Sequence, residues 1–147
     1  MDIRNTKSIT KGDVYSMISI EEMEAMLDEI TTEIPQELYR ELNGGIILLP
    51  EVKLNNISTK NDLYILGEYH RDGNMGRYIA IYYGSFSHVY GYLGKEALKE
   101  KLRHTLKHEF THHIESLAGE MGLEIKDAKY LADYLKRRNS AGFSGLM

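Results

Sequence analysis

KEALKEKLRHTLKHEFTHHIESLA, residues Lys95 to Ala118, decides the reading of this chain. Leu98, Leu102, Leu106, Phe110, Ile114 and Leu117 recur at three- and four-residue intervals, the period of a helix with one apolar face. Gly119 is the expected C-terminal stop. On a helical wheel, at about 100° per residue, His108 and His112 stand roughly 150° from the centre of the apolar stripe. They are therefore expected to face an open cleft and not the core.

Four of the six histidines fall between His104 and His113. His108 and His112 are four residues apart, so their imidazoles leave one helix face a single turn apart and can reach one tetrahedral zinc ion. Glu109 points to one side of the pair, where it can take a proton from an attacking water and pass it to a leaving group. The segment His108-Glu109-Phe110-Thr111-His112 thus fits H-E-x-x-H, a pattern with a mechanism behind it. In a chain of this length and composition, chance produces it roughly one or two times in a hundred. His113 points about 100° away from His112, toward the apolar stripe, and is expected to pack and not to ligate. His104 is expected to be solvated, and His70 and His88 to lie at strand ends or in loops.

A catalytic zinc takes three protein ligands and keeps a fourth position open. The candidates for the third are Glu115, Glu120, Glu124 and Asp127. Glu115 shares the histidine face but lies about 7 Å along the axis from the midpoint of the pair, which suits orienting a ligand better than being one. Gly119 and Gly122 let the chain turn back, so that Asp127, or else Glu124, could approach from another direction. Asp127 is also placed to cap the final helix, expected over about Asp127 to Arg138.

Working outward, Ser19 and Glu22 form a capping-box pair opening a helix that carries Ile20, Met23, Leu27 and Ile30. Pro35 then opens a short helix, which Asn43-Gly44-Gly45 ends. The period next changes. Ile46 to Leu49, Asp62 to Tyr69 and Arg77 to Tyr83 read as strands, the last two joined by a hairpin loop at Arg71 to Gly76, and Ser87 to Tyr92 as a fourth. Helices, then strands, then helices make an α+β fold in one domain over residues 1–147, with 1–12 and 140–147 loosely ordered.

Composition narrows the function. With no cysteine, any metal must sit on nitrogen and oxygen ligands. A net charge of −4 without a dense basic cluster argues against a nucleic-acid partner. The first residues lack the apolar core of a signal peptide, and no apolar run is long enough to span a bilayer, so a cytoplasmic protein is expected.

The doubled histidine of His108-Glu109-Phe110-Thr111-His112-His113 resembles a family of small bacterial zincin-like metallopeptidases. The resemblance extends to Gly44-Gly45-Ile46-Ile47-Leu48-Leu49-Pro50 and Ile81-Tyr82-Tyr83-Gly84. It implies a minimal zincin, a small mixed sheet packed on the active-site helix. It also implies Zn2+ on His108 and His112 with Glu109 as general base. Many members place a glycine three residues after the second histidine and an aspartate ligand three beyond that. Here Glu115 and Ala118 stand at those positions, and the acidic segment Glu124 to Asp127 follows a later turn. The expectation is a zinc metallopeptidase acting on a peptide or protein substrate, with Asp127 as third ligand and Tyr82 or Tyr83 as a possible oxyanion donor. The competing expectation is a zinc-binding protein without proteolytic activity.

Overall fold

A computed structural model describes residues 17–55, 63–120 and 125–137, without the side chains of 125–128 and 130. The segments expected to be loosely ordered, 1–12 and 140–147, lie outside these residues.

Helix α1 (Ile20–Glu33) begins as expected: Glu22 N–H donates to Ser19 Oγ at 3.0 Å, and Ser19 N–H donates to Glu22 Oε1 at 2.8 Å. A single 3-10 turn follows at Gln36–Tyr39, after Pro35. Strands β1 (Gly45–Leu49), β2 (Gly67–Asp72) and β3 (Gly76–Tyr82) form a mixed sheet in the order β1-β3-β2. β1 runs parallel to β3, and β2 runs antiparallel to it. β3, paired on both sides, holds the buried Ile79 and Ile81, whereas β2 is paired on one side only among the described residues.

Four expectations about the chain are corrected. The strand expected over Asp62 to Tyr69 begins only at Gly67 and runs on to Asp72; before it, Tyr64 makes an isolated bridge to Leu54. The fourth strand, expected at Ser87 to Tyr92, is instead part of helix α2 (Tyr83–Tyr90). Phe86 and Tyr90, one helical turn apart, bring their rings within 6.1 Å, and Phe86 is wholly buried in the core. Gly84 permits this turn, because a Cβ there would stand 2.7 Å from the backbone of Glu51.

The third correction concerns helix α3 (Lys95–Glu120), which passes through Gly119 instead of stopping there. A glycine stop needs the left-handed conformation, and the positive-φ glycines among the described residues are Gly45 and Gly76. Leu98, Leu102, Leu106, Phe110, Ile114 and Leu117 are all buried, as the wheel requires. Arg103, Thr105 and Lys107 are buried too, because α1, α4 and the sheet enclose the helix on several sides. One stripe stays exposed: Lys101, His104, His108, His112 and Glu115.

Helix α4 (Ile125–Lys136) starts before Asp127, which therefore sits inside its first turn and not at its cap. Lys107 Nζ donates to the Arg137 carbonyl at 3.3 Å and lies 4.9 Å from the Tyr134 ring centre. α4 thus returns antiparallel along α3, with Leu131 and Leu135 in the shared core. No helix among the described residues is long and apolar enough to cross a membrane.

Candidate metal centre

The exposed stripe of α3 and strand β2 form the two walls of an open cleft. Gly67 allows their close approach, since a Cβ there would meet Ile81 Cδ1 and Thr105 Cγ2, each at 3.1 Å. His108, Glu109, His112, Glu115, Ser116 and Glu120 line one wall, and Glu68, Tyr69, His70 and Arg71 the other.

His108 Nε2 and His112 Nε2 face each other at 3.3 Å. Two nitrogens each 2.0–2.1 Å from a tetrahedral ion stand roughly 3.3–3.4 Å apart. The separation of the pair therefore matches one edge of a coordination tetrahedron. Burial, with the neighbouring charges of His112 and His104, holds His108 below the usual imidazole range, favouring the neutral form that ligation requires. Glu115 Oε1 lies 3.5 Å from His112 Nδ1, the ring nitrogen turned away from His108. A carboxylate there favours the tautomer that leaves Nε2 free to ligate.

Glu109 is 5% exposed and lines the cleft, yet its carboxylate has no hydrogen-bond partner among the described residues. Burial pushes its carboxyl up, the charge of His112 opposes this, and that of Glu68 adds to it. A buried carboxylate without a partner is costly, and such groups belong to sites completed by a ligand, water or ion.

His113 packs as expected and is wholly buried. Its Nε2 lies 2.8 Å from the Arg40 carbonyl, which can only accept, so Nε2 carries the proton. Nδ1 then accepts from the Tyr69 hydroxyl, also at 2.8 Å. This bridge ties strand β2 to the helix that carries the histidine pair.

Sequence patterns do not single out Glu68, whose chemistry becomes visible only once the sheet forms. Its Oε1 accepts from Tyr82 Oη at 2.7 Å, from Lys53 Nζ at 3.1 Å and from His70 Nε2 at 3.0 Å. Burial disfavours its charge, but these bonds and the charges of Lys53 and His70 outweigh burial and hold it below the usual carboxylate range. Lys53 is itself held by Ser85 of α2, to whose Oγ its N–H donates at 2.9 Å. Tyr82 and Tyr83 are both engaged as donors, to Glu68 and to the Ile18 carbonyl respectively.

The third-ligand candidates separate by position. Glu120 is held by Arg71 and Arg77, two helical turns beyond His112. Glu115 contacts the far nitrogen of His112. Glu124 lies outside the described residues, as does the side chain of Asp127. The backbone of Asp127 stands ten residues before Arg137, at the end of α4, and Arg137 meets Lys107. Counting back along antiparallel helices puts Asp127 level with α3 roughly 7–8 Å beyond His112. Among the described residues, no three His, Cys, Asp or Glu side chains converge as a metal-holding group.

No protein-family model and no curated protein matches the chain. A solved structure does: a conserved hypothetical protein from Thermo thermophilus, 31% identical, with a TM-score of 0.59. The match covers 69% of this chain and 98% of that one. Identity at this level along nearly the whole of the other chain, with a common fold, means that the protein belongs to the family of that conserved hypothetical protein.

Proposed function

We infer that this chain is a zinc metallopeptidase of minimal zincin type, with His108 and His112 as ligands and Glu109 as general base. The observation that carries the reading is the 3.3 Å separation of the two Nε2 atoms, matched to one edge of a zinc tetrahedron. The buried carboxylate of Glu109 beside them, without a hydrogen-bond partner among the described residues, supports it independently. Asp127, carried on α4 and so approaching from outside α3, is the proposed third ligand.

Zinc, when bound, polarises the scissile carbonyl and acidifies the attacking water. Glu109 takes a proton from that water as its oxygen attacks the carbonyl carbon. When the C–N bond breaks, the same carboxyl returns the proton to the leaving amine. Its burial makes it a stronger base than a solvated carboxylate. The edge of β2 away from β3 offers backbone groups to an extended peptide, as an added strand.

The test is Glu109→Gln, assayed against a broad mixture of quenched fluorescent peptides. A loss of turnover of roughly 10²–10⁴-fold with zinc content unchanged is expected. Equal turnover in both proteins would refute the role of Glu109. A second reading, zinc binding without proteolysis, draws on Glu115 and Ala118 standing where the family pattern has a glycine and an aspartate ligand. It predicts metal uptake with no peptide cleavage by the unmodified chain.

A further inference from the structure

We propose that Arg71 forms a subsite for a carboxylate at one end of the cleft, so that the preferred substrate is a peptide acidic a few residues from the cleaved bond. The proposal rests on the peptidase reading above and narrows its substrate class. Two guanidinium groups share the single carboxylate of Glu120: Arg71 through Nη1, and Arg77 through Nη2 at 3.1 Å. Arg77, mostly buried, also donates to Ser116 Oγ at 2.9 Å and so holds that corner of α3 in place. Arg71, by contrast, is about half exposed and lines the cleft.

The arrangement makes Arg71 exchangeable. If Arg71 turns to a substrate carboxylate, Glu120 keeps Arg77, so neither glutamate nor arginine loses its charge partner. The exposed Arg71–Glu120 pair is of the kind that contributes little to stability, so the exchange costs little. A guanidinium also offers a planar fork that matches a carboxylate with two parallel hydrogen bonds. The α3 wall beside the histidine pair carries Glu109 and Glu115, whereas Arg71 supplies a guanidinium at the other end of the cleft.

Position sets the register. Ser116 and Glu120 lie one and two helical turns beyond His112, about 6 and 12 Å along the axis. An extended peptide rises about 3.3 Å per residue, so the carboxylate falls roughly two to four residues from the cleaved bond. It could belong to an acidic side chain or to the peptide's own C-terminus.

The test measures binding to the full zinc-loaded chain carrying Glu109→Gln, by fluorescence anisotropy. The probes are labelled ten-residue alanine and phenylalanine peptides with one glutamate at successive positions, and their glutamine counterparts. Each is made with a free and with an amidated C-terminus. The best-placed glutamate, or the free C-terminus, should tighten binding about tenfold over its neutral counterpart. Which of the two does so identifies the source of the carboxylate. Adding Arg71→Gln should abolish the preference, and Arg71→Glu should transfer it to lysine-bearing peptides. Equal binding of charged and neutral peptides, or a preference that survives Arg71→Glu, overturns the subsite. Zinc uptake is measured on the same samples. Selectivity without zinc uptake would count against the peptidase reading alone, and zinc uptake without selectivity against the subsite alone.

Discussion

The Nε2 atoms of His108 and His112 stand 3.3 Å apart, with their rings nearly perpendicular and Glu115 on the far nitrogen of His112. The helix sets the one-turn spacing, and side-chain conformation brings the two Nε2 atoms together. Metal analysis of protein purified without chelator should find about one zinc per chain, as a single site requires. His108→Ala and His112→Ala should each abolish uptake without unfolding the protein, because both side chains are exposed. Full zinc retention by either variant would sink the assignment.

Glu115→Gln should keep the site but weaken it. A carboxylate on the second ring nitrogen of a ligand contributes roughly 10–100-fold in metal affinity, and the exposure of Glu115 argues for about tenfold. Competition with a chelating dye measures this. Loss of all zinc binding would instead make Glu115 a ligand in its own right.

Asp127→Asn and Glu124→Gln separate the candidates for the third ligand. The first should lower zinc affinity by about tenfold or more, and the second should leave it essentially unchanged. The opposite result would move the ligand to Glu124.

Tyr69→Phe removes the donor to Nδ1 of the wholly buried His113. An unsatisfied buried acceptor costs about 1–2 kcal/mol. In a domain of this size that lowers Tm by several degrees, which calorimetry reads directly. Nitrogen NMR should find His113 in the Nε2–H tautomer, and an Nδ1–H signal would contradict the bridge.

Glu33 supplies a pH signature away from the cleft. A hydrogen bond from Arg103 holds its carboxyl below the ordinary 4.5; burial opposes this, and the charges of Arg103, Lys99 and Lys107 assist. Because the folded value is depressed, the stabilisation is fully present above the unfolded carboxylate value and is lost as pH falls through the folded one. Glu33→Gln should therefore lower Tm at pH 7, with the difference closing below about pH 4. A difference independent of pH would show that packing, not charge, is at work.

Local patterns make much of this protein legible before folding. The capping box at Ser19 and Glu22, the buried stripe from Leu98 to Leu117 and the outward face of His108 and His112 all follow from helical periodicity. So does the packing of His113, because each depends on residues only a few positions apart. Helix α2 reads as a strand in the sequence because its tyrosines and β-branched valine favour strands, and only the burial of Phe86 and the close approach of Gly84 to Glu51 go with the helix. Gly119 reads as a stop although its conformation is set by what α3 packs against, not by the residue alone.

The cleft itself belongs to the tertiary structure. Glu68 lies 41 positions before Glu109, and Arg71 lies 49 before Glu120, so no local period connects them. They meet because Gly67 lets the edge strand approach α3 and the Tyr69–His113 bond holds it there. The sequence determined which side chains could grip a metal, since one turn of helix is enough to pair them. Only long-range packing decided what surrounds the pair: a buried carboxylate on one flank and strand β2 opposite.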